Sequence, residues 1–237
     1  MDSIMALGTR LIASETRRVE TAGQNIANAA SPGYKRAIAF QNLLASAVPV
    51  VENHEAGFAT STDFSAGKLI HTGNPLDVSI DGRGFFEVAT ADGPAYTRVG
   101  SFTRDASGRL TTAQGWPLQG SGGDVVVSSS GDWRIEKDGT VLENGDPVAV
   151  INVVEFGDPS KLRRIDGGLF VADGQSAAPV DGVQISQGNL ESSNVTLATD
   201  MMQMMEAVRR IEAGQKLIHT YDDMMGSALQ RLGEMSA

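Results

Sequence analysis

Residues 133–156, with the sequence WRIEKDGTVLENGDPVAVINVVEF, decide the fold class of this chain. Two dipeptides, Asp138-Gly139 and Asn144-Gly145, separate short segments that contain β-branched and aromatic side chains. Asp-Gly and Asn-Gly supply the positive φ angles that tight hairpin turns require. Residues 133–135 and the mostly apolar run 148–156 are typical of strands. The stretch therefore predicts consecutive strands joined by close turns.

The same pattern extends over the whole middle of the chain. Further turn dipeptides of this kind occur at residues 81–82, 92–93, 107–108, 166–167, 173–174 and 181–182. Strand-like segments occur at residues 77–81, 85–88, 96–99, 101–104 and 125–127. All eight phenylalanines and both tryptophans lie between residues 37 and 189, and large aromatic side chains supply much of a globular core. We therefore expect a central β-rich domain, either a meander or barrel-like.

Both ends of the chain show helical periodicity. Residues 2–30 contain no proline, and their apolar side chains are spaced to form one helical stripe: Ile4, Leu7, Leu11, Val19, Ala22, Ile26 and Ala29. Ser31-Pro32-Gly33 should end this helix, because proline disfavours helical geometry in the residue before it. Near the C-terminus, apolar residues at gaps of three and four resemble a coiled-coil seam: Met204, Val208, Ile211, Ile218, Met225, Leu229 and Leu232. Asn194 or Ser193 could cap this second helix.

The two stripes can be paired in two ways. They can pack against each other as an intramolecular hairpin, or they can pack against other subunits. A stripe rich in methionine suits adaptable packing but is also common in ordinary cores, so the pattern leaves both open. The predicted fold class is α+β, with long N- and C-terminal α-helices forming a coiled-coil assembly region around a central β-rich domain.

Composition narrows the class of function. The chain has 237 residues, a formal net charge of −10 and no cysteine. Binding to a nucleic-acid backbone needs a basic face, whereas residues 37–189 alone carry a net charge of −9. Without cysteine there can be no disulfide, thiolate metal site or cysteine nucleophile. No run approaches the roughly 18 to 20 apolar residues of a membrane helix. The first 18 residues lack the pattern of a secretory signal peptide, so any export of the chain should not use a cleaved leader.

A search for catalytic or binding motifs finds little. The three histidines, His54, His71 and His219, show no metal-ligand spacing. Asp77 and Asp81 would lie about 13 Å apart along a strand, too far for the acid and base of a glycosidase. The glycine clusters lack the remaining residues of dinucleotide-binding or phosphate-binding loops. We therefore predict no enzymatic activity, no cofactor and no metal.

Four motifs in the right order resemble those of the flagellar axial proteins, which build the bacterial rod and hook. The first comprises Gln24-Asn25-Ile26-Ala27-Asn28 and Ser31-Pro32-Gly33-Tyr34-Lys35. The second and third comprise residues 73–88 and 95–118, which include Ala95-Tyr96-Thr97-Arg98-Val99-Gly100-Ser101-Phe102. The fourth is Gln187-Gly188-Asn189-Leu190-Glu191-Ser192-Ser193-Asn194-Val195. Each motif alone would be weak evidence, but the series covers nearly the whole chain.

The resemblance implies a structural subunit of the rod. Hook subunits carry a large extra domain for which this chain has no room, and its short segment after the turn favours the proximal-rod type over the distal-rod type. The implied regions are an N-terminal assembly helix and turn (1–36), an extended connector (37–72), a β-rich domain (73–189) and a C-terminal coiled-coil helix (190–237). The implied partners are other rod subunits, copies of the chain and the flagellar type III export apparatus, without nucleic acid or membrane insertion. The implied location is the basal-body rod spanning the periplasm.

The resemblance also assigns roles to individual residues. The expected assembly interface consists of Leu7, Leu11, Val19, Ile26, Met204, Val208, Ile211, Ile218, Met225, Leu229 and Leu232. The matched motif residues are Asn25, Asn28, Pro32, Gly33, Tyr34, Lys35, Leu190, Glu191, Ser193, Asn194 and Val195. Gly33 and Pro32 should set the angle at which the chain leaves the helix, and the asparagines should cap or cross-link helix ends. A soluble β-domain that binds cell-wall glycan through Trp116 or Trp133 is the alternative from another class.

Overall fold

The computed structural model describes residues 2–41, 58–128, 132–180 and 182–234. Residues 42–57 of the predicted connector (37–72), which include His54, lie outside these ranges, and so does Asp181. The described residues form two α-helices, α1 (Asp2–Ala27) and α2 (Leu197–Glu234). Helix α1 ends just before the predicted stop at Ser31-Pro32-Gly33. Neither helix, within the described residues, is long and apolar enough to cross a membrane.

The expected coiled-coil assembly region was wrong. The structure contains one N-terminal and one C-terminal helix, and these pack against each other within a single chain. Small residues explain this pairing: a Cβ added to Gly8 would lie 3.0 Å from Cγ1 of Ile218, and one added to Gly214 would lie 3.2 Å from Cγ1 of Ile12. Gly8 and Ile12 of α1 therefore pack against Ile218 and Gly214 of α2 within the same chain. The central β-rich part of the predicted fold class is present.

The strands are short and follow each other closely. They are β1 (Ala37–Gln41), β2 (Phe58–Thr62), β3 (Leu69–His71), β4 (Val78–Asp81), β5 (Phe85–Thr90), β6 (Gly93–Thr97), β7 (Thr103–Arg104), β8 (Leu110–Thr111), β9 (Gln119–Gly120), β10 (Gly123–Asp124), β11 (Trp133–Ile135), β12 (Thr140–Glu143), β13 (Asp146–Val150), β14 (Val153–Glu155), β15 (Leu162–Ile165), β16 (Leu169–Ala172), β17 (Ala178–Pro179), β18 (Gln184–Gln187) and β19 (Asn189–Glu191). Two 3₁₀ turns, Pro159–Lys161 and Asp166–Gly168, lie on either side of β15. The predicted turn at Asn144-Gly145 joins β12 to β13, with φ angles of 53° and 94°.

The largest sheet has six strands in the order β15-β16-β6-β5-β14-β17, and all its neighbours are antiparallel. Strands β11, β12 and β13 form a three-stranded antiparallel meander. Two-stranded pairs complete the fold, and two of them join distant parts of the chain: β18 with β4, and β19 with β3. These two pairings place residues 184–191 beside the beginning of the β domain.

The core lies on both faces of strand β5. Successive side chains of a strand point to opposite faces, so Phe85 and Phe86 enter different clusters. Phe86 packs with Phe102 among aliphatic side chains from many strands. Phe85 packs with Phe156 and Phe170 in an aromatic cluster. The predicted concentration of aromatic side chains in the middle of the chain therefore supplies two layers of core.

The chain divides into two compact units. The helical unit consists of Met1–Ala27, Ala37–Ser61 and Thr196–Ala237, and the β unit consists of Asn28–Arg36 and Thr62–Val195. The residues of the first and fourth sequence motifs are therefore shared between the units: Asn25 belongs to the helical unit, whereas residues 31–36 and 187–195 belong to the β unit.

Candidate functional site

The first and fourth sequence motifs meet in the β unit. We call residues 31–36 and 189–195 the motif junction. The backbone N–H of Gly33 donates to the carbonyl oxygen of Glu191 at 2.7 Å, and the N–H of Asn194 donates to the carbonyl of Tyr34 at 3.4 Å. Strand β19 is also held on its other side by β3. Two segments about 155 residues apart in sequence thus lie side by side.

A buried ion cluster of Lys35, Glu191 and Arg98 holds the junction together. The Nζ of Lys35 donates to Oε1 of Glu191 at 2.6 Å, and Nη1 of Arg98 donates to Oε2 of the same carboxylate at 3.2 Å. The three residues are 2%, 3% and 7% exposed, respectively. The N–H of Gly67 also donates to Oε1 of Glu191, at 2.7 Å. The carboxylate therefore accepts hydrogen bonds from two cations and one amide.

The remaining donors of the cluster bind backbone carbonyls. Lys35 donates to Ser65 O at 2.8 Å, and Nη2 of Arg98 donates to Gly82 O at 2.7 Å. Burial lowers the pKa of Lys35, and the Glu191 carboxylate opposes this shift only in part. Burial likewise lowers the pKa of Arg98. The Glu191 carboxylate faces two buried cations, and backbone carbonyls accept their remaining hydrogen bonds.

Gly33 allows this close approach. Its φ angle is +68°, and a Cβ at this position would lie 2.4 Å from the carbonyl oxygen of Arg98 and 2.6 Å from Cα of Val99. Only glycine fits both the backbone angle and the space. Next to it, the guanidinium of Arg164 lies 4.7 Å from the ring centroid of Tyr34 and donates to the Lys35 carbonyl.

Asn194 cross-links segments of the β unit that lie outside the strands. Its Oδ1 accepts the N–H of Arg36 at 2.7 Å, and its Nδ2 donates to Asp63 O at 2.8 Å and to Ser65 O at 3.1 Å. Helix α2 begins three residues later, at Leu197. Asn194 therefore ties Arg36 to the segment 63–65.

The other motif residues have more local surroundings. The Ser193 hydroxyl accepts the N–H of Val195 at 3.2 Å. Asn28 accepts both the N–H and the hydroxyl of Ser31, which closes the turn before Pro32. Leu190, Val195 and Pro32 are half-buried in the β unit.

Asn25 joins three elements of the helical unit. Its side-chain amide donates to Ala37 O at 2.8 Å and to Oδ1 of Asp200 at 3.0 Å, and its Oδ1 accepts the Ala37 N–H at 2.9 Å. Asn25 and Asp200 are 1% and 0% exposed. Helix α1, strand β1 and the first turn of α2 are thereby connected by one amide.

The predicted interface residues fall into three groups. Val19, Ile26, Met204, Ile211, Ile218 and Met225 are half-buried in the helical unit. Leu7, Leu11 and Val208 remain exposed, at 67%, 39% and 37%. The side chains of Leu229 and Leu232 lie outside the described residues. The contacts between α1 and α2 use Gly8 and Ile12, one position after Leu7 and Leu11.

The tryptophans of the alternative glycan-binding hypothesis are part of the core packing. Trp116 packs against Val88, Ala95 and Leu169, and Trp133 packs against the main apolar cluster. Within the described ranges, no three His, Asp or Glu side chains are grouped so that they could hold a metal ion.

Comparison with known proteins explains this arrangement. Residues 79–143 match the family model of the flagellar hook protein FlgE/F/G D1 domain, and residues 186–231 match that of the flagellar basal body rod FlgEFG protein C-terminal region. The chain is 34% identical over 229 residues to the flagellar basal-body rod protein FlgF of Escherichia coli (strain K12), with 88% of this chain and 89% of the relative covered. The chain belongs to the flagellar basal-body rod proteins.

Further relatives place the chain within this rod family. It is 31% identical over 248 residues to FlgF of Caulobacter vibrioides, with 100% of both chains covered. It is also 31% identical over 245 residues to the rod protein FlgG of Borreliella burgdorferi, with 89% of this chain and 91% of the relative covered. The matches support a FlgF-type rod protein, a structural subunit of the flagellar basal body.

The C-terminal family match contains half of the motif junction. Residues 186–231 include Glu191 and Asn194 together with most of α2. Their partners Gly33 and Lys35 lie in the N-terminal motif. Sequence reasoning singled out all four of these residues, but it did not assign roles to Arg98, Asp200 or Glu15. The only feature of the sequence that could have drawn attention to these three residues is that each is charged while many of its neighbours are apolar or belong to a motif.

Proposed function

We propose that this rod protein is a subunit of the proximal rod that assembles with other flagellar rod proteins and with copies of itself. Assembly with rod proteins follows from family membership, and the proximal position is supported by the FlgF relatives and by the short connector. The assembled rod would transmit torque and conduct exported subunits through its interior. The relatives are named as rod proteins, and the proposed role is structural and requires no catalysis.

The proposed assembly surface is supported by a set of exposed apolar side chains on both helices. On α1 they are Met5, Leu7 and Leu11, and on α2 they are Met201, Met202, Met205, Val208, Leu217 and Met224. These side chains remain exposed after α1 and α2 have packed against each other. Covering apolar surface gains about 25 cal/mol per Å². We propose that neighbouring rod subunits cover this set, and that the half-buried predicted interface residues support it from inside the helix pair.

The motif junction has a supporting role in this proposal. It fixes Arg36 and Val195, after which the chain continues into β1 and towards α2. Gly33, Lys35, Glu191 and Asn194 hold these two points of the β unit close together.

The cellular route is part of the same proposal. Rod proteins of this family would reach their position through the flagellar type III export apparatus, and the rod would span the periplasm. The lack of cysteine is compatible with passage of an unfolded, uncross-linked chain through a narrow channel. Family membership is the support for this step.

Basal-body incorporation of Leu7→Asp and Met205→Asp tests the proposed surface. Both side chains are exposed, at 67% and 55%, so the variants should fold with unchanged helical circular dichroism. A buried charge at a subunit contact costs several kcal/mol, so we expect neither variant to appear in purified basal bodies and motility to be lost. The measurement is immunoblotting of basal bodies from a strain that lacks the wild-type protein.

Thr9→Asp is the matched control, because Thr9 is also exposed on α1 and receives the same charge. It should be incorporated like the wild type. Normal motility and incorporation of both Leu7→Asp and Met205→Asp would show that the exposed apolar set is not the assembly surface.

A further inference from the structure

Four contacts give the relative register of α1 and α2. Gly8 lies against Ile218 and Gly214 lies against Ile12, so the residue numbers of each pair add up to 226. Glu15 lies 3.5 Å from Arg210, and Asn25 donates to Asp200, with a sum of 225 for each pair. Sums that differ by only one mean that the helices run antiparallel with one register from Gly8 to Asn25 of α1.

The seven-residue repeat of the large apolar side chains on α2 does not by itself select this register. The half-buried side chains Met204, Ile211, Ile218 and Met225 of α2 repeat every seven residues, so a shift by seven places one large apolar residue where another was. Helix α2 has 38 residues and α1 has 26, so α1 can shift toward the C-terminus of α2 and remain covered. After such a shift Gly8 would face Met225, Gly214 would face Val19, and Ile12 would face Tyr221.

The polar contacts would be lost in the shifted register. Glu15 is 3% exposed, and its Oε1 lies 3.5 Å from Nη1 of Arg210 and 3.7 Å from Nη1 of Arg18. Its Oε2 is buried without a hydrogen-bond partner in the described part of the chain. After a shift by seven, Glu15 would face Leu217 and lose its partner on α2. Asn25 would face Ala207 and lose Asp200.

A buried carboxylate with one unpartnered oxygen stabilises a helix pair less than an apolar residue of the same size. Removing Arg210 costs more, because the buried carboxylate then keeps, among the described residues, only Arg18 of its own helix, 3.7 Å away. Such polar groups within an apolar seam are known to fix the alignment of helices at a cost in stability. We propose that Glu15–Arg210 and Asn25–Asp200 are positioning pairs that select a single antiparallel register of α1 and α2. This inference does not depend on rod assembly.

Disulfide trapping in the full chain measures the register directly, because the protein has no cysteine of its own. Ile12→Cys with Gly214→Cys reports the observed register, and Ile12→Cys with Tyr221→Cys reports the shifted one. In the otherwise unchanged chain, the first pair should cross-link at least about tenfold faster than the second, since loss of a buried charge partner changes an equilibrium by more than tenfold.

Removing the positioning pairs should abolish this preference. With Glu15→Leu and Asn25→Leu, we expect the two cysteine pairs to cross-link at comparable rates. Glu20→Leu is the matched control, because Glu20 is an exposed carboxylate of the same helix, and it should keep the tenfold preference. An unchanged preference in the Glu15→Leu, Asn25→Leu variant would overturn the proposal.

A charge swap covers the case in which the leucine variant fails to fold. Arg210→Glu places two carboxylates opposite each other and should reduce the preference for the observed register. Adding Glu15→Arg to Arg210→Glu restores an opposite-charge pair and should restore the preference. An Arg210→Glu variant with the full preference, or a swap that restores nothing, would contradict the assignment of Glu15–Arg210.

Discussion

Gly33 is the residue on which the motif junction depends most directly. Replacing it with alanine adds a Cβ 2.4 Å from the Arg98 carbonyl oxygen and requires a non-glycine residue at a φ of +68°. We expect Gly33→Ala to lower the free energy of unfolding of the β unit by about 1–3 kcal/mol. Urea unfolding followed by tryptophan fluorescence measures this change.

Gly157→Ala serves as the control for Gly33→Ala. Gly157 also lies in the β unit, but nothing lies within 4 Å of its added Cβ. Its stability should differ from that of the wild type by less than about 1 kcal/mol. If Gly33→Ala unfolds at the same urea concentration as Gly157→Ala, the close approach at Gly33 is not as described.

Lys35 makes stability depend on pH in a defined direction. Its pKa in the folded protein is lowered by burial from the ordinary lysine value of 10.5, so between these two values the unfolded chain binds more protons. Stability due to Lys35 must therefore rise with pH over that interval, by at most about 1.4 kcal/mol per pH unit. We expect Lys35→Met to remove this rise, whereas replacement of the exposed Lys68 should keep it. The measurement is the free energy of unfolding as a function of pH between 8 and 10.5. Equal slopes for the wild type and Lys35→Met would contradict this role of Lys35.

At the residue scale, sequence motifs pointed to two of the three members of the ion cluster and to two further residues of the motif junction. Lys35, Glu191, Gly33 and Asn194 were recognised from motifs, and all four lie at the junction. Arg98 was seen only as a member of another motif, because its contact with Glu191 spans 93 residues. A contact at that separation depends on the pairing of β19 with β3, which no local pattern encodes.

Glycine residues determine how closely α1 and α2 approach each other. Gly214→Leu should separate α1 from α2 because its side chain would meet Ile12, whose Cγ1 lies 3.2 Å from an added Cβ. We expect a loss of about 1–3 kcal/mol from overpacking, partly offset by about 1 kcal/mol of helix propensity. The measurement is thermal unfolding followed by circular dichroism at 222 nm.

Gly226→Leu separates packing from propensity. Gly226 lies in the same helix, but nothing lies within 4 Å of its added Cβ. This control should be as stable as the wild type or slightly more so. A Gly214→Leu variant that melts no earlier than Gly226→Leu would show that α1 and α2 do not approach closely at Gly214.

Sequence periodicity predicted the helices but not their contact face. Hydrophobic spacing selected Leu7 and Leu11, whereas the contact with α2 uses Gly8 and Ile12. Glycine has no apolar side chain. A search for apolar stripes therefore does not detect a contact face in which small residues of one helix pack against large residues of the other. The coiled-coil expectation failed for the same reason. The β elements were easier, since turns such as Asn144-Gly145 encode their positive φ angles locally.

At the scale of the whole molecule, charge and function are distributed unequally. Residues 37–189 carry a net charge of −9 and contain nearly all the aromatic core, whereas the helices carry exposed apolar side chains. Composition alone suggested this division. It also argued against nucleic-acid backbone binding and excluded disulfides, thiolate metal sites and a cysteine nucleophile. The position of the subunit in a larger assembly is a property of other chains, so it could be predicted only through family resemblance.

A cryo-electron microscopy map of purified basal bodies in which this subunit is identified tests both its rod position and its assembly surface. We expect density for the chain in the proximal part of the rod, with Leu7, Met205 and Val208 in contact with neighbouring subunits. Density in the distal rod would contradict the proximal assignment. A rod position in which these three side chains face solvent would contradict the proposed assembly surface.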